Sequence, residues 1–584
     1  MQELINQLQY DLEKHGNTAM KIRRELNSLA YVNRLPTELM SMIFHHYTTH
    51  ETWVHPAAWI IIAHICQRWR QIVLNTPYLW TTINLPVHPE YLEAALKYSQ
   101  KALLDVTIFW SSCRSEAQLA SMLNALFDQI HRIRILRSHK TPSRAVVLWG
   151  YISYSLNAPQ LVSLVDINYR RSYRHPSCLM ETFISLPRLE RVRLSSCETT
   201  WSHLRHIPTL KHLYLHSSSN KSVAHPTMKY VMETLRTLHL LETLAIHCGF
   251  SVDGDQSDIA EVSLPNLQKI ELSGKLACCV ALLSKLSFPS TAYINVGDVT
   301  KRLNTDRLND EGVLQLWLPL IPKLVAADTF GSKALRSIEV VYHPAREEFV
   351  LHGWTTERSL RDDSLMPRFS LRAGRKPGFT RKFIKHLPAS GVHTLFLTGL
   401  HSWYTFVTDL GDAFIHLNSV EELRMVFGDI RSIWSLFTSL VDGKIILPSL
   451  RILQVDDLKV YTCSRHCRMI HHTCIHALEP TLRQRQVVRP INRLVLIEPS
   501  ITSKDGSTLC NILNDVQIIH QYGQDLGDSP RREWEDGDES SDSELEGYDL
   551  APYDRKAKPL VQNWTSEESG YSDDSDDSDA EFDA

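Results

Sequence analysis

"LPRLERVRLSSCETTWSHLRHIPTLKHLYLHSS", residues 186–218, states one phrase twice: an apolar residue, two variable ones, then apolar-x-apolar (Leu189, Val192, Leu194, and again Leu210, Leu213, Leu215). The alternating end of each phrase suits a short strand buried on one face, and the leading Leu-Pro or Ile-Pro ends whatever precedes it. The same phrase returns at 158–167, 238–247, 264–273, 417–426 and 447–456, with weaker echoes in "ALRSIEVV", "GVHTLFLT" and "INRLVLIE". Among the five early copies the period varies between 21 and 31 residues. One such unit cannot cover its own apolar face, so the units must stack into a solenoid. A generic α/β core with parallel strands is the alternative.

If the inward positions are Leu189, Val192 and Leu194 and their equivalents, the alternate positions point outwards. Arg193, Tyr214, Glu271, Arg424 and Gln454 are then candidates for binding a protein substrate. Between 298 and 386 the phrase weakens, and "LRSIEVVYHPAREEFVLHGW" and "PRFSLRAGRKPGF" alternate like antiparallel strands. An irregular pair of repeats is expected there in preference to a substrate-contacting insertion.

Upstream, "RLPTELMSMIFHHY" (34–47) sets Pro36 in a first helical turn, followed by an apolar stripe of Leu39, Met42, Ile43 and Tyr47 with Phe44 beside it. "PAAWIIIAHICQRWRQIVLNTPYLW" (56–80) adds a nearly all-apolar run and an amphipathic turn closed by Thr76-Pro77. Three short helices in about fifty residues carry more large apolar side chains than they can hide, so some are expected to meet a partner.

The order of these residues resembles the F-box of cullin-RING ubiquitin-ligase receptors, Leu-Pro-x-Glu-Leu-x-x-x-Ile-Phe followed by a Cys-x-x-Trp segment and a closing Pro-x-Leu-Trp, over residues 31–85. The resemblance implies that Leu35, Pro36, Leu39, Ile43, Phe44, Cys66 and Trp69 build a face docking on a Skp-type adaptor and, through it, a cullin-RING ligase. The histidine-rich spacer "HHYTTHETWVHPAAW" is longer than in short forms of the box. The repeats resemble irregular leucine-rich repeats found behind F-boxes, with the usual asparagine turn position mostly absent.

The expected fold is therefore α plus α/β: N-terminal amphipathic helices (1–30), a small three-helix F-box-like domain (31–85), an irregular leucine-rich-repeat-like solenoid (86–523) and a disordered acidic tail (524–584). In the first segment Leu4, Leu8, Leu12, Ile22, Leu26 and Leu29 recur at helical steps, interrupted by Gly16-Asn17. Two short helices packing back on the box are expected, in preference to a coiled-coil arm. The tail holds 21 acidic and 5 basic residues, so it is near −16 while the whole chain is −4 and the body near +12. Such a segment is too charged to fold alone. Ser541, Ser543, Thr565 and Ser578 each have an acidic residue three places on, which suits acidophilic kinases.

At 584 residues and 43% hydrophobic content, two or three domains with an ample core are expected. Eleven cysteines, mostly single, and an amphipathic start point to a reducing compartment, cytosol or nucleus. No run approaches eighteen apolar residues, so no membrane partner is expected. There is no Gly-x-x-x-x-Gly-Lys cradle, His-Glu-x-x-His pair or Gly-x-Ser-x-Gly elbow, and no catalytic residue is assigned. "CSRHCRMIHHTCIHALE" (463–479) crowds thiols and imidazoles together but lacks a Cys-x-x-Cys pair, so neither metal nor cofactor is assigned. The reading is a non-catalytic substrate-recognition subunit of a Skp-cullin-F-box ligase acting on an unidentified protein. The alternative is a non-ligase scaffold on chromatin or nucleic acid, for which the one basic stretch is "AGRKPGFTRKFIKH" (373–386).

Overall fold

The computed structural model describes residues 2–51, 58–110, 116–139, 156–167, 183–195, 201–216, 226–247, 258–274, 276–297, 314–315, 317–325, 335–343, 348–356, 366–374, 377–398, 410, 413–426, 440–441, 444–456, 482–483, 485–497, 507, 509–513 and 515–519. The acidic tail and the cysteine–histidine stretch 463–479 lie outside the described residues.

The first segment is one 28-residue helix, α1 (Gln2–Leu29), and not two. Gly16 has nothing within 4 Å of where a Cβ would stand, and one exposed glycine costs a helix only about 1 kcal/mol relative to alanine. The expected packing on the box is also absent: Leu4, Leu8, Leu12, Ile22, Leu26 and Leu29 are all exposed.

The box follows as α2 (Thr37–Glu51), a 3-10 helix Ala58–His64, α3 (Gln67–Leu74) and a 3-10 turn Pro77–Trp80. Met40, Phe44, Trp59, Ile62, Ile72, Val73, Leu79 and Trp80 form its interior. Trp80 is the joint to what comes next. Its Nε1–H donates to the Val73 carbonyl at 2.8 Å, and its ring lies 5.0 Å from those of Trp59 and Tyr98, the latter on the helix Pro89–Tyr98 that follows the first strand. The core of the box therefore runs without interruption into the core of the sheet.

Among the described residues, seventeen strands form one sheet. Every full copy of the repeated phrase ends in one of them: Ser163–Ile167, Arg191–Ser195, His212–His216, Thr243–His247, Lys269–Ser273, Glu422–Val426 and Ile452–Asp456. The weaker echoes give Ser337–His343, Thr394–Thr398 and Arg493–Ile497. Neighbours pair in parallel and in register, so Val192, Leu213, Leu244, Ile270 and Ile294 form one buried row and Leu194, Leu215, Ile246, Leu272 and Val296 a second. Leu189 and Leu210 are likewise buried. Helices such as Pro89–Tyr98, Glu116–Phe127, Met228–Thr237, Leu276–Ser284 and Pro377–His386 make crossovers between strands, as parallel pairing requires.

Chain order and sheet order part company once. After Tyr293–Gly297 the sheet continues through Phe369–Gly374, then Glu348–Trp354, then Ser337–His343, before Thr394–Thr398 resumes the sequence. Glu348–Trp354 is antiparallel to both neighbours. The alternation in 336–374 thus gives an antiparallel strand built into the sheet rather than an excursion from it. Gly353 takes an inner-row position beside Phe369, whose ring fills the space a side chain would need.

Two buried cations, Arg132 and Arg485, and the half-buried Lys323 finish helices and turns whose carbonyls would otherwise lack donors. Arg132 donates to the carbonyls of Leu96 and Ala102, both at 3.1 Å, and to Ser99 Oγ at 2.9 Å. Lys323 Nζ donates to the carbonyls of Ser284 and Leu286 at 2.8 and 3.0 Å, the last residue of the helix Leu276–Ser284 and a residue just beyond it. Arg485 donates to Ile446 and Leu447, and burial holds its pKa down at about 10, so it stays charged at neutral pH. The sheet ends on Asp515–Ile519, paired on one side by Arg493–Ile497; among the described residues no strand pairs its other side.

Candidate adaptor face and outer rows of the sheet

Helix α2 is apolar on two faces. One face, Met40, Phe44 and the hydroxyls of Ser41 and Thr48, is buried. The other, Leu39, Met42, Ile43 and Tyr47, follows the i, i+3, i+4, i+8 spacing and faces water, with Leu39 46%, Met42 64% and Ile43 50% exposed. Three adjacent large side chains each 46% exposed or more on one short helix form a patch of the type that marks an interaction surface.

The seven residues expected at the adaptor divide into three sets. Pro36, Leu39 and Ile43 are exposed. Leu35, Cys66 and Trp69 are half-buried, and two of them are braced: Arg68 Nη2 donates to the Leu35 carbonyl at 2.5 Å, and Trp69 Nε1 donates to Asn33 Oδ1 at 2.7 Å. Phe44, at 2% exposure, is a core residue beneath the face and not part of its surface; its ring lies 5.1 Å from that of Trp69. A helix apolar on both sides offers no clue to which stripe is inside, and this is why Phe44 reads as a surface residue in the sequence. Ile61 and Ile65 are exposed additions, hidden in the sequence within an unbroken apolar run.

On the sheet, Arg193, Tyr214, Glu271, Arg424 and Gln454 all fall in one outward row, linked in register through Ala245 between Tyr214 and Glu271 and by direct pairing of Arg193 with Tyr214 and Arg424 with Gln454. None is fully exposed. Strands about 4.8 Å apart press outward side chains against one another. The Arg193 guanidinium lies 6.0 Å from the Tyr214 ring centroid, Glu271 pairs with Lys269 at 2.9 Å, and Arg424 donates to Glu422 at 2.7 Å while lying over Phe396 at 5.3 Å.

The adjoining outward row carries imidazoles at the ends of two adjacent strands. His216 and His247 are 6.0 Å apart, and His247 Nδ1 shares a short hydrogen bond with Ser273 Oγ. Burial, reinforced by His216 and the guanidinium groups of Arg193 and Arg372 and opposed by Glu271, lowers the His247 pKa to about 4. His247 is therefore neutral at neutral pH, a hydrogen-bonding group set among Arg193, Arg372 and Glu271. Among the described residues no group of His, Cys, Asp and Glu is placed to hold a metal ion, and no helix is long and apolar enough to cross a membrane.

Comparison with known proteins bears on the box. Residues 32–86 match the family model described as F-box-like. No curated protein matches the chain. Among solved structures, the leucine-rich repeat-containing protein LegL7 from Legionella pneumophila is similar over 66% of this chain and 91% of its own, at 11% identity and a TM-score of 0.26, too low to carry a conclusion. The chain thus carries an F-box-like domain at residues 32–86, and that domain leads directly into a parallel, leucine-rich-repeat-like sheet.

Proposed function

We propose that the protein is the non-catalytic substrate-recognition subunit of a Skp-cullin-F-box ubiquitin ligase, acting in the cytoplasm or nucleus. The observation that carries this reading is the exposed stripe Leu39, Met42, Ile43 and Tyr47 on a helix whose opposite face is buried, inside a segment that matches the F-box-like family. In this reading the stripe docks on the adaptor, with Pro36 at its N-terminal end and Leu35, Cys66 and Trp69 as its half-buried margin. The outer rows of the sheet, Arg193, Tyr214, Glu271, Arg424 and Gln454 among them, hold a protein substrate. Function then follows from proximity: holding substrate and ubiquitin-charged enzyme in one complex raises their effective concentration without any chemistry by this chain.

The scaffold reading on nucleic acid has less support. The basic segment 373–386 folds largely as the helix Pro377–His386, anchored by buried Phe383 and Ile384, and the outer rows interleave Glu271, Glu339 and Glu422 with their cations. A phosphate-binding surface calls for clustered positive charge.

Co-purification with the adaptor tests the proposal. Leu39→Asp or Ile43→Asp places a carboxylate where desolvation leaves it without a partner, at a cost of about 2–4 kcal/mol, or roughly 30- to 1,000-fold in affinity. Both side chains already face water, so the fold is spared. Undiminished adaptor recovery with both variants refutes the docking assignment.

A further inference from the structure

Among the described residues nothing covers the apolar side of α1. Once the helix is continuous through Gly16, its apolar residues acquire a phase that two separate helices would lack. Ile5, Leu8, Leu12, His15, Ala19, Ile22, Leu26 and Leu29 follow alternating steps of three and four over four heptads, with His15 the one polar member. The six large apolar residues of the set are all exposed. This is the a/d seam of a two-stranded coiled coil, which needs three to four heptads.

We propose that α1 pairs in parallel with α1 of a second copy of this chain. The helix is about 42 Å long, and two such stripes about 10 Å wide together remove on the order of 1,000 Å² from water, the lower range of specific interfaces. Parallel pairing sets each seam residue on its own equivalent, and no seam position carries a formal carboxylate or ammonium charge. At the flanks it places Asp11 opposite Gly16, Thr18 opposite Arg23 and Glu25 opposite Ala30 of the second copy, so no like charges meet. Antiparallel pairing also closes the seam, Ile5 on Leu29 through to His15 on Ala19, but sets Asp11 beside Glu25 at both ends. Like charges select the parallel form. The two His15 side chains then share a polar layer, the device that holds coiled-coil register.

The pairing is transmitted to the box. Asn33, in the turn between α1 and α2, donates from Nδ2 to the Asn27 carbonyl and accepts from Trp69 Nε1, both at 2.7 Å. A parallel pair therefore presents two boxes side by side from one end of the seam.

Sedimentation equilibrium of the purified full chain at micromolar concentration tests the pairing. The expected mass is twice the 67.0 kDa of one chain, and it halves in the Leu12→Asp, Leu26→Asp variant and on deletion of residues 2–29, while the thermal transition of the body is unchanged. An unaltered chain that sediments at 67.0 kDa across that range, or a pair that survives both changes, overturns the proposal. Direction is read from cysteine cross-linking against the unaltered chain as background. Ala19→Cys alone gives a covalent pair in the parallel form; cross-linking only when His15→Cys and Ala19→Cys chains are mixed overturns that form.

Discussion

Gly353→Ala adds one methyl group to the inner face of the antiparallel strand, and the structure prices it steeply. A Cβ at this position stands 2.5 Å from Phe369 Cζ and 2.9 Å from Leu335 Cδ1, against about 3.5–4.0 Å for carbon atoms in contact. Phe369 and Leu335 have no exposed surface, so the ring must move by roughly an ångström inside a core packed like an organic crystal. Overpacking of this kind costs about 1–3 kcal/mol or more, and strand propensity returns only a few tenths. In urea, with a slope of about 1–3 kcal/mol per molar, the midpoint falls by roughly 1 M. The cause is separable from backbone effects by a second substitution: Phe369→Leu in the Gly353→Ala background gives back the space and recovers part of the loss, a coupling measurable in a double-mutant cycle. A double variant no more stable than the sum of the singles refutes the steric account.

The inner and outer rows answer differently to truncation. Leu213→Ala, fully buried, loses about 2–5 kcal/mol in denaturant unfolding, whereas Tyr214→Ala, half-buried against Arg193, loses about 1 kcal/mol and weakens capture of substrate. Acidification acts through His247: with a folded pKa of about 4 against 6.5 unfolded, the unfolded chain takes up the proton first, so stability declines as pH falls from about 6.5 to 4 and is unaffected above that window. The contribution is at most about 3 kcal/mol, and His247→Gln flattens the pH dependence of the melting temperature over this range. Deleting residues 525–584 leaves the calorimetric transition of the body in place, since so charged a segment buries little, while light scattering at high concentration rises.

How far the sequence could be read depended on which forces were local. Strand positions were legible because the phrase around Leu189–Leu194 and Leu210–Leu215 combines a strand period with a proline stop, both properties of the segment itself. The strands Thr82–Leu85, Tyr293–Gly297 and Asp515–Ile519 carry no such phrase and were supplied by their neighbours. Gly16 misled for an energetic reason: a glycine is a weak breaker when 27 other residues favour the helix. Phe44 misled for a geometric one, since nothing in "ELMSMIFHHY" distinguishes the stripe that faces α3 from the stripe that faces water. The cations Arg132, Lys323 and Arg485 were invisible for a third reason, because each serves carbonyls at least 30 residues away in sequence.

The last described strand, Asp515–Ile519, leaves one side of its backbone without a described partner, and Ile518 within it is exposed. Such an edge is a template: a second molecule could add its own last strand there and the sheet would grow from chain to chain. Five residues beyond Ile519 begins the segment that carries a net charge near −16. Edge-to-edge growth would have to crowd two such segments together, a repulsion that weakens as salt shortens its range to about 8 Å at physiological strength and further above it. Association through this edge is then expected to rise with salt, and phosphate added at Ser541 or Ser543 to oppose it.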